Sequence, residues 1–194
     1  MYRVFIDGRE GTTGLRIAQR LQERADIELI RLPDDMRKDP ESRRRALNGC
    51  DAAILCLPDA AAIEAAGMVE NPDVVVIDAS TAHRTNPDWA YGFPELSEKA
   101  MERAKASKRI AVPGCHASGF IALVYPLVEA GLLPSDALLS FHSLTGYSGG
   151  GKRMIAEYAQ ADGLDAPRAY ALGQAHKHLP EMRRFSGLEH APLF

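Results

Sequence analysis

Through residue 112 the chain alternates short apolar runs with amphipathic stretches. Residues 2–6, 27–31, 52–57, 74–78 and 109–112 read as strands, each bounded by polar or turn-forming positions. Between the first two, residues 12–24 place Gly14, Ile17, Ala18 and Leu21 on one helical face. Residues 40–47 read as a short charged helix opened by proline. Asp59 is placed to cap a helix running to Met68, and residues 95–105 read as another helix. The fourth strand is apolar until Asp78, the pattern of a strand covered on both faces. This rhythm predicts an α/β fold with a doubly wound parallel sheet over residues 1–112.

Beyond residue 113 the rhythm changes. Residues 119–130 read as an apolar helix, 137–144 as a long strand and 152–160 as a helix after a glycine-rich turn. Residues 161–175 have weak periodicity and read as loop, and Ala191-Pro192-Leu193-Phe194 ends the chain without a closing helix. The expectation is a second, α+β domain over residues 113–194.

Composition adds exclusions. Of 194 residues, 46% are hydrophobic and 25% charged, an ordinary balance for a globular protein. A net charge of -3 and the lack of a basic stripe argue against nucleic acid as partner. Arg43-Arg44-Arg45 reads as the solvated face of a helix. The apolar start is too short for a signal peptide or membrane span. Three cysteines without CxxC spacing fit free thiols in a reducing cytoplasm. Cys56, inside an apolar run, reads as core.

The chemistry concentrates at strand ends. Gly8-Arg9-Glu10-Gly11-Thr12-Thr13-Gly14 joins the first strand to the first helix, where glycines permit a tight turn and a helix N-terminus can face a pyrophosphate. Its GxxGxxG spacing differs from GxGxxG, so its βαβ context carries the reading. Arg31, just past the second strand, points to the 2′-phosphate of NADP, although Asp34 and Asp35 nearby leave NAD open. Asp78-Ala79-Ser80-Thr81-Ala82-His83-Arg84 follows the fourth strand at the edge where ligands bind, and Arg84 is a candidate anion fork.

Pro113-Gly114-Cys115-His116 places a cysteine where a helix N-terminus can favour its thiolate. Gly146-Tyr147-Ser148-Gly149-Gly150-Gly151-Lys152-Arg153 has P-loop spacing, but Arg153 replaces the magnesium-holding hydroxyl, so it reads as an anion cradle instead of an ATP site. His176-Lys177-His178 would face both imidazoles one way in an extended segment. No third ligand completes a metal site, and one imidazole is better read as an acid/base partner for the thiol.

Together, Gly8-x-x-Gly11-x-x-Gly14, Asp78-x-Ser80-x-x-x-Arg84, Tyr91-Gly92-x-Pro94-Glu95, Pro113-Gly114-Cys115, Gly146-x-Ser148-Gly149-Gly150-Gly151-Lys152 and His176-x-His178-x-Pro180-Glu181 resemble, in order, the short-chain N-acetyl-gamma-glutamyl-phosphate reductases. The resemblance runs from Met1 to Phe194. It implies a Rossmann NADP-binding domain followed by part of an α+β dehydrogenase catalytic domain. It also implies reduction of an acyl phosphate by NADPH through a thioester on Cys115 during arginine biosynthesis.

The roles it implies are Cys115 as nucleophile and His178, less favourably His176, as acid/base. The cofactor would be held by Gly8, Gly11, Thr12, Thr13, Gly14, Arg31 and Ser80. The substrate would be held by Arg84, Ser148, Gly149, Lys152 and His176. A cytoplasmic homo-oligomer, dimer or tetramer, is the expected assembly.

Family members continue past residue 194, so the catalytic domain is expected to be incomplete and the isolated chain unstable. Many relatives carry an aromatic residue where this chain has His116. An aminoadipyl-phosphate reductase and a non-catalytic nucleotide-binding regulator are the alternative readings.

Overall fold

The computed structural model describes every residue except 10, 11, 147, 148, 150, 161–166 and 170–172, and every described side chain except those of residues 12, 15 and 153. Contacts divide the chain into two units, Met1–Pro113 and Gly114–Phe194.

In the first unit six strands form one sheet: β1 (Tyr2–Asp7), β2 (Ile27–Ile30), β3 (Ala52–Leu55), β4 (Val75–Asp78), β5 (Ala90–Tyr91) and β6 (Arg109–Ala111). Their order is β2-β1-β3-β4-β6-β5, and every pairing is parallel. The helices are α1 (Thr12–Gln22), α2 (Pro40–Asn48), α3 (Asp59–Gly67) and α4 (Glu98–Ala106), with a 3₁₀ turn at Pro94–Leu96.

Both sheet faces are covered. Phe5, Ala53, Leu55, Val74 and Val76 pack with Leu47 of α2 on one side, and Val4 and Ile6 pack with Ala18 of α1 on the other. Removing such fully buried aliphatic side chains from water contributes about 1.5–3 kcal/mol each. The register aligns Asp7, Leu55, Asp78, Ala111 and Tyr91 in one row, so five strands end together at the C-terminal edge. The order reverses between β1 and β3, which puts a crevice at that edge beside Gly8.

The doubly wound parallel sheet matches its expectation, with local corrections. Pro58, not Asp59, holds the cap position of α3. As the first helical residue, Asp59 turns its carboxylate to Thr81, accepting from the Thr81 N–H at 2.9 Å and from its hydroxyl. The helix expected over 95–105 splits, because Ser97 caps α4 by accepting from the Ala100 N–H at 3.1 Å. β5, at two residues, is too short to leave a periodic pattern.

The second unit contains α5 (Cys115–Glu129), β7 (Leu144–Thr145), α6 (Gly151–Gln160), β8 (Arg168–Ala169) and α7 (Leu179–Ser186). Phe120, Ile121 and Val124 of α5 and Met182 of α7 are buried where these two helices pack. Gly187 ends α7 at φ +82, with Val128 of α5 so near that a Cβ would meet its Cγ1 at 3.0 Å.

Here sequence and structure part further. α5 starts at Cys115, four residues before the expected 119, because Gly119 lies on an open helix face and interrupts nothing. The strand expected over 137–144 reduces to β7, paired antiparallel with β8, and a parallel bridge between Ser140 and Leu193. A strand needs a partner for its backbone groups, and among the described residues only Leu193 serves the 139–141 segment. β8 lies where loop was expected, and α7 forms over a stretch for which the sequence pattern predicts no helix.

Candidate active site

Cys115 is the first residue of α5, exposed and not disulfide-bonded. Gly114 is the cap, in extended conformation at φ -71, ψ 145. A Cβ there would collide with the His178 ring and stand 2.5 Å from Glu181 Oε1, so only glycine lets these groups approach. The Gly114 N–H donates to Glu181 Oε2 at 3.1 Å, and its carbonyl accepts from the Ser118 N–H and hydroxyl, both at 2.8 Å. Glu181, 1% exposed, therefore clamps the cap from which α5 and Cys115 grow.

His178 is buried and caps α7 in helical conformation. Its Nε2 lies 3.9 Å from Glu181 Oε1, three residues along the chain. Its N–H donates to His176 Nδ1 at 3.2 Å, and the two rings meet edge to face at 4.5 Å. The expected extended histidine segment is thus a helix entry, and the two imidazoles have different duties. His178 sits over the Gly114 cap, while His176 supports it and remains partly exposed. Phe194 packs near both rings, at 5.5 Å from His176 and 6.5 Å from His178.

Glu181 is the residue that sequence reasoning left without a role. Its signal was present: a carboxylate three positions after His178, beside the proline that opens a helix.

In the first unit the turn after β1 is closed by backbone packing. Gly8 has φ +81, and a Cβ on it would meet the Cys56 carbonyl carbon at 2.8 Å. A Cβ on Gly14 would meet Gly8 O at 2.6 Å and Arg9 Cα at 2.7 Å. Among the described residues, Arg9 Nε is buried without a hydrogen-bond partner. Tight glycine packing, a following helix N-terminus and an orphaned cationic donor fit a dinucleotide pyrophosphate. Arg31 is exposed immediately after β2 and Thr13 is exposed on α1. Gly11, the Thr12 side chain and Ser148 lie outside what the structure describes.

Ser80 and Arg84 turn inward. Ser80 donates its hydroxyl to Asp78 Oδ2 at 2.7 Å and its N–H to Oδ1 at 2.8 Å, and its oxygen accepts from the Ala82 N–H at 3.1 Å. His83 Nδ1 meets the same Asp78 carboxylate at 2.7 Å, and its ring stacks on Trp89 at 3.9 Å. Arg84, 8% exposed, donates from Nε to the Val112 carbonyl at 2.9 Å and from Nη2 to the Ala79 carbonyl at 3.4 Å. It braces the chain ends beyond β4 and β6.

In the second unit, Gly149 follows Thr145 so closely that no Cβ would fit, and its N–H donates to the Gly146 carbonyl at 3.0 Å. Lys152, in the first turn of α6, is exposed. Among the described residues no cluster of three or more His, Cys, Asp or Glu is placed to hold a metal ion, and no helix is long and apolar enough to cross a membrane.

Two family models match the chain: the semialdehyde dehydrogenase NAD-binding domain over residues 34–104 and the semialdehyde dehydrogenase dimerisation domain over residues 115–192. The N-acetyl-gamma-glutamyl-phosphate reductase of Burkholderia cenocepacia is 52% identical over 194 residues, covering 98% of this chain. N-acetyl-gamma-glutamyl-phosphate reductase 2 of Pseudomonas putida is 52% identical over 193 residues, with the same coverage. The chain spans 62% of the length of each.

Among solved structures, an aspartate semialdehyde dehydrogenase with NADP from Candida albicans superposes with a TM-score of 0.66 at 17% identity, over 99% of this chain and 66% of that one. Aspartate semialdehyde dehydrogenase II of Vibrio cholerae gives 0.63 at 16% identity, over 99% of this chain and 69% of that one. At such identities these two speak for the fold alone.

Proposed function

This chain belongs to the semialdehyde dehydrogenase family, and from that premise we propose that its Cys115 is the nucleophile of an NADPH-dependent reductase converting N-acetyl-gamma-glutamyl phosphate to its semialdehyde. The observation that carries the reading is the cluster at the start of α5. An exposed thiol begins a helix whose cap is held by buried Glu181 and overlain by His178. Similarity at 52% identity to proteins named N-acetyl-gamma-glutamyl-phosphate reductase supports the acyl phosphate as substrate.

In this reading the Cys115 thiolate attacks the acyl carbon, the carbon–oxygen bond to phosphate breaks, and inorganic phosphate leaves. The first N–H groups of α5 face the developing oxyanion. A thioester on Cys115 remains. NADPH, when bound, supplies the hydride that takes the thioester carbon to the aldehyde level. His178 donates a proton to the alkoxide and takes it back as the carbonyl re-forms, when the carbon–sulfur bond breaks to release the semialdehyde and regenerate the thiolate. Glu181 fixes the cap from which Cys115 projects, with its Oε1 3.9 Å from His178 Nε2.

Gly8, Gly11, Thr12, Thr13 and Gly14 would hold the pyrophosphate of the cofactor, and Arg31 would read its 2′-phosphate. Ser80 shapes the same edge through Asp78. Ser148, Gly149 and Lys152 take the substrate's phosphate or carboxylate, with His176 at the rim. Arg84, committed to two carbonyls, supports the edge from within. Leu123 and Leu127, one turn apart on α5 and exposed, fit burial against a second copy in a homo-oligomer, dimer or tetramer.

Cys115→Ser in the whole protein tests the assignment. Phosphate-dependent reduction falls by more than about a thousandfold, while NADPH titration is unchanged. Near-normal turnover would remove Cys115 from the mechanism. Parallel assays with the glutamyl and aminoadipyl phosphates decide which chain length is the substrate.

A further inference from the structure

His116 stands next to the nucleophile, and the proposed chemistry leaves it without a task. It is the second residue of α5, and its Nδ1 is hydrogen-bonded to Ser143 Oγ. Its ring centroid lies 6.0 Å from that of His178 and 5.9 Å from that of Phe194. Burial lowers its pKa below the ordinary 6.5, so near pH 7 it acts as a neutral hydrogen-bonding ring.

Ser143 directly precedes β7. Beyond β7, Gly149 donates its N–H to the Gly146 carbonyl and packs against Thr145, and Gly151 opens α6 at φ +68. Lys152 is the next residue. One side-chain bond therefore ties the first turn of the nucleophile's helix to the strand that delivers the anion turn. That strand needs such a tie, because β7 and β8 have two residues each and so short a ladder fixes register weakly.

We infer that His116 is a positioning residue which, through Ser143, sets where β7, and with it Gly149 and Lys152, stands relative to Cys115. The inference rests on the acyl-phosphate reading of that turn. A ring that served only to pack on Phe194 would be replaceable by phenylalanine. A ring that serves through Nδ1 would be replaceable by asparagine, whose side-chain amide reaches a similar place.

The test compares His116→Phe, His116→Asn, Ser143→Ala and the His116→Phe/Ser143→Ala double variant in the whole protein. Equal iodoacetamide labelling of Cys115 serves as the control for an intact fold. His116→Phe and Ser143→Ala each raise KM for the acyl phosphate about tenfold with kcat changed less than about twofold, the size of one lost hydrogen bond. The double variant is no worse than either single, and His116→Asn stays within about threefold of the parent.

Titration with inorganic phosphate reads the same turn without turnover, and the affinities follow the same order. Parent-like KM and phosphate affinity in His116→Phe, or additive losses in the double variant, would overturn the inference. Loss of phosphate affinity in His116→Phe but not in His116→Asn, in a protein that reduces neither acyl phosphate, would support the inference and overturn only the functional reading.

Discussion

The two units hold their polar groups in different ways. In the first, a parallel sheet with long-range pairings supplies the frame, and the buried charges at its edge serve one another. Asp78, with 0% exposure, gathers Ser80 and His83, and Arg84 closes on two carbonyls. In the second, two helices form the frame, and the buried charge serves the helix that Cys115 opens. Glu181 holds the cap before Cys115. A sheet edge fixes a site by aligning many strand ends, whereas a helix pair fixes one by a few side-chain contacts. A single substitution is therefore expected to reach Cys115 from α7 and not from β3.

The largest effects separate the units. Leu55→Ala and Met182→Ala each remove a fully buried side chain and cost about 3 kcal/mol. Leu55→Ala lowers the melting temperature and leaves the rate of Cys115 alkylation unchanged. Met182→Ala lowers stability and also shifts that rate, because α7 carries His178 and Glu181. Equal alkylation rates in both variants would break the contrast.

Glu181→Ala comes next. It leaves the buried Gly114 N–H without its acceptor and costs about 2 kcal/mol in chemical denaturation. Glu181→Gln keeps an acceptor oxygen and loses less than half of that. If the two variants were equally destabilised, the clamp would depend on charge and not on the hydrogen bond.

The subtlest effect near neutral pH, because it emerges only in alkali, is a pH dependence of the first unit. Burial raises the Cys50 and Cys56 thiols from 9.0 to about 11. Between those values the unfolded chain has released protons that the fold retains, so stability falls as pH rises from about 9 to 11. Cys50→Ala/Cys56→Ala flattens that slope. At pH 8 iodoacetamide labels exposed Cys115 ahead of the other two.

The same contrast explains what the sequence made legible. A strand covered on both faces writes a continuous apolar run, so Val4-Phe5-Ile6 and Val75-Val76-Ile77 were readable, as was Gly8 at the switch point. In the second unit an apolar run does not always mark burial. Leu138 is 82% exposed and Leu144 65% exposed, so their run reads as a strand where little ladder forms. α7 opens as Leu-Pro-Glu-Met and carries too few turns for a clear stripe.

The site was readable one residue at a time. Cys115 and His178 were named from their motifs, but Glu181 needed the fold to bring Gly114 within 3.1 Å across 67 positions. Arg84 and Ser80, at the ligand edge in sequence, gave no sign that they turn inward, because that depends on the carbonyls and carboxylate they meet.

The measurement closest to the central claim is the intact mass of the whole protein after mixing with N-acetyl-gamma-glutamyl phosphate in the absence of NADPH, followed by peptide mapping. The account predicts one N-acetylglutamyl group per chain, thioester-linked to Cys115, lost on addition of NADPH and absent from Cys115→Ser. An unmodified Cys115 in a protein that still turns the substrate over, or an acyl group on Cys50 or Cys56, would contradict it.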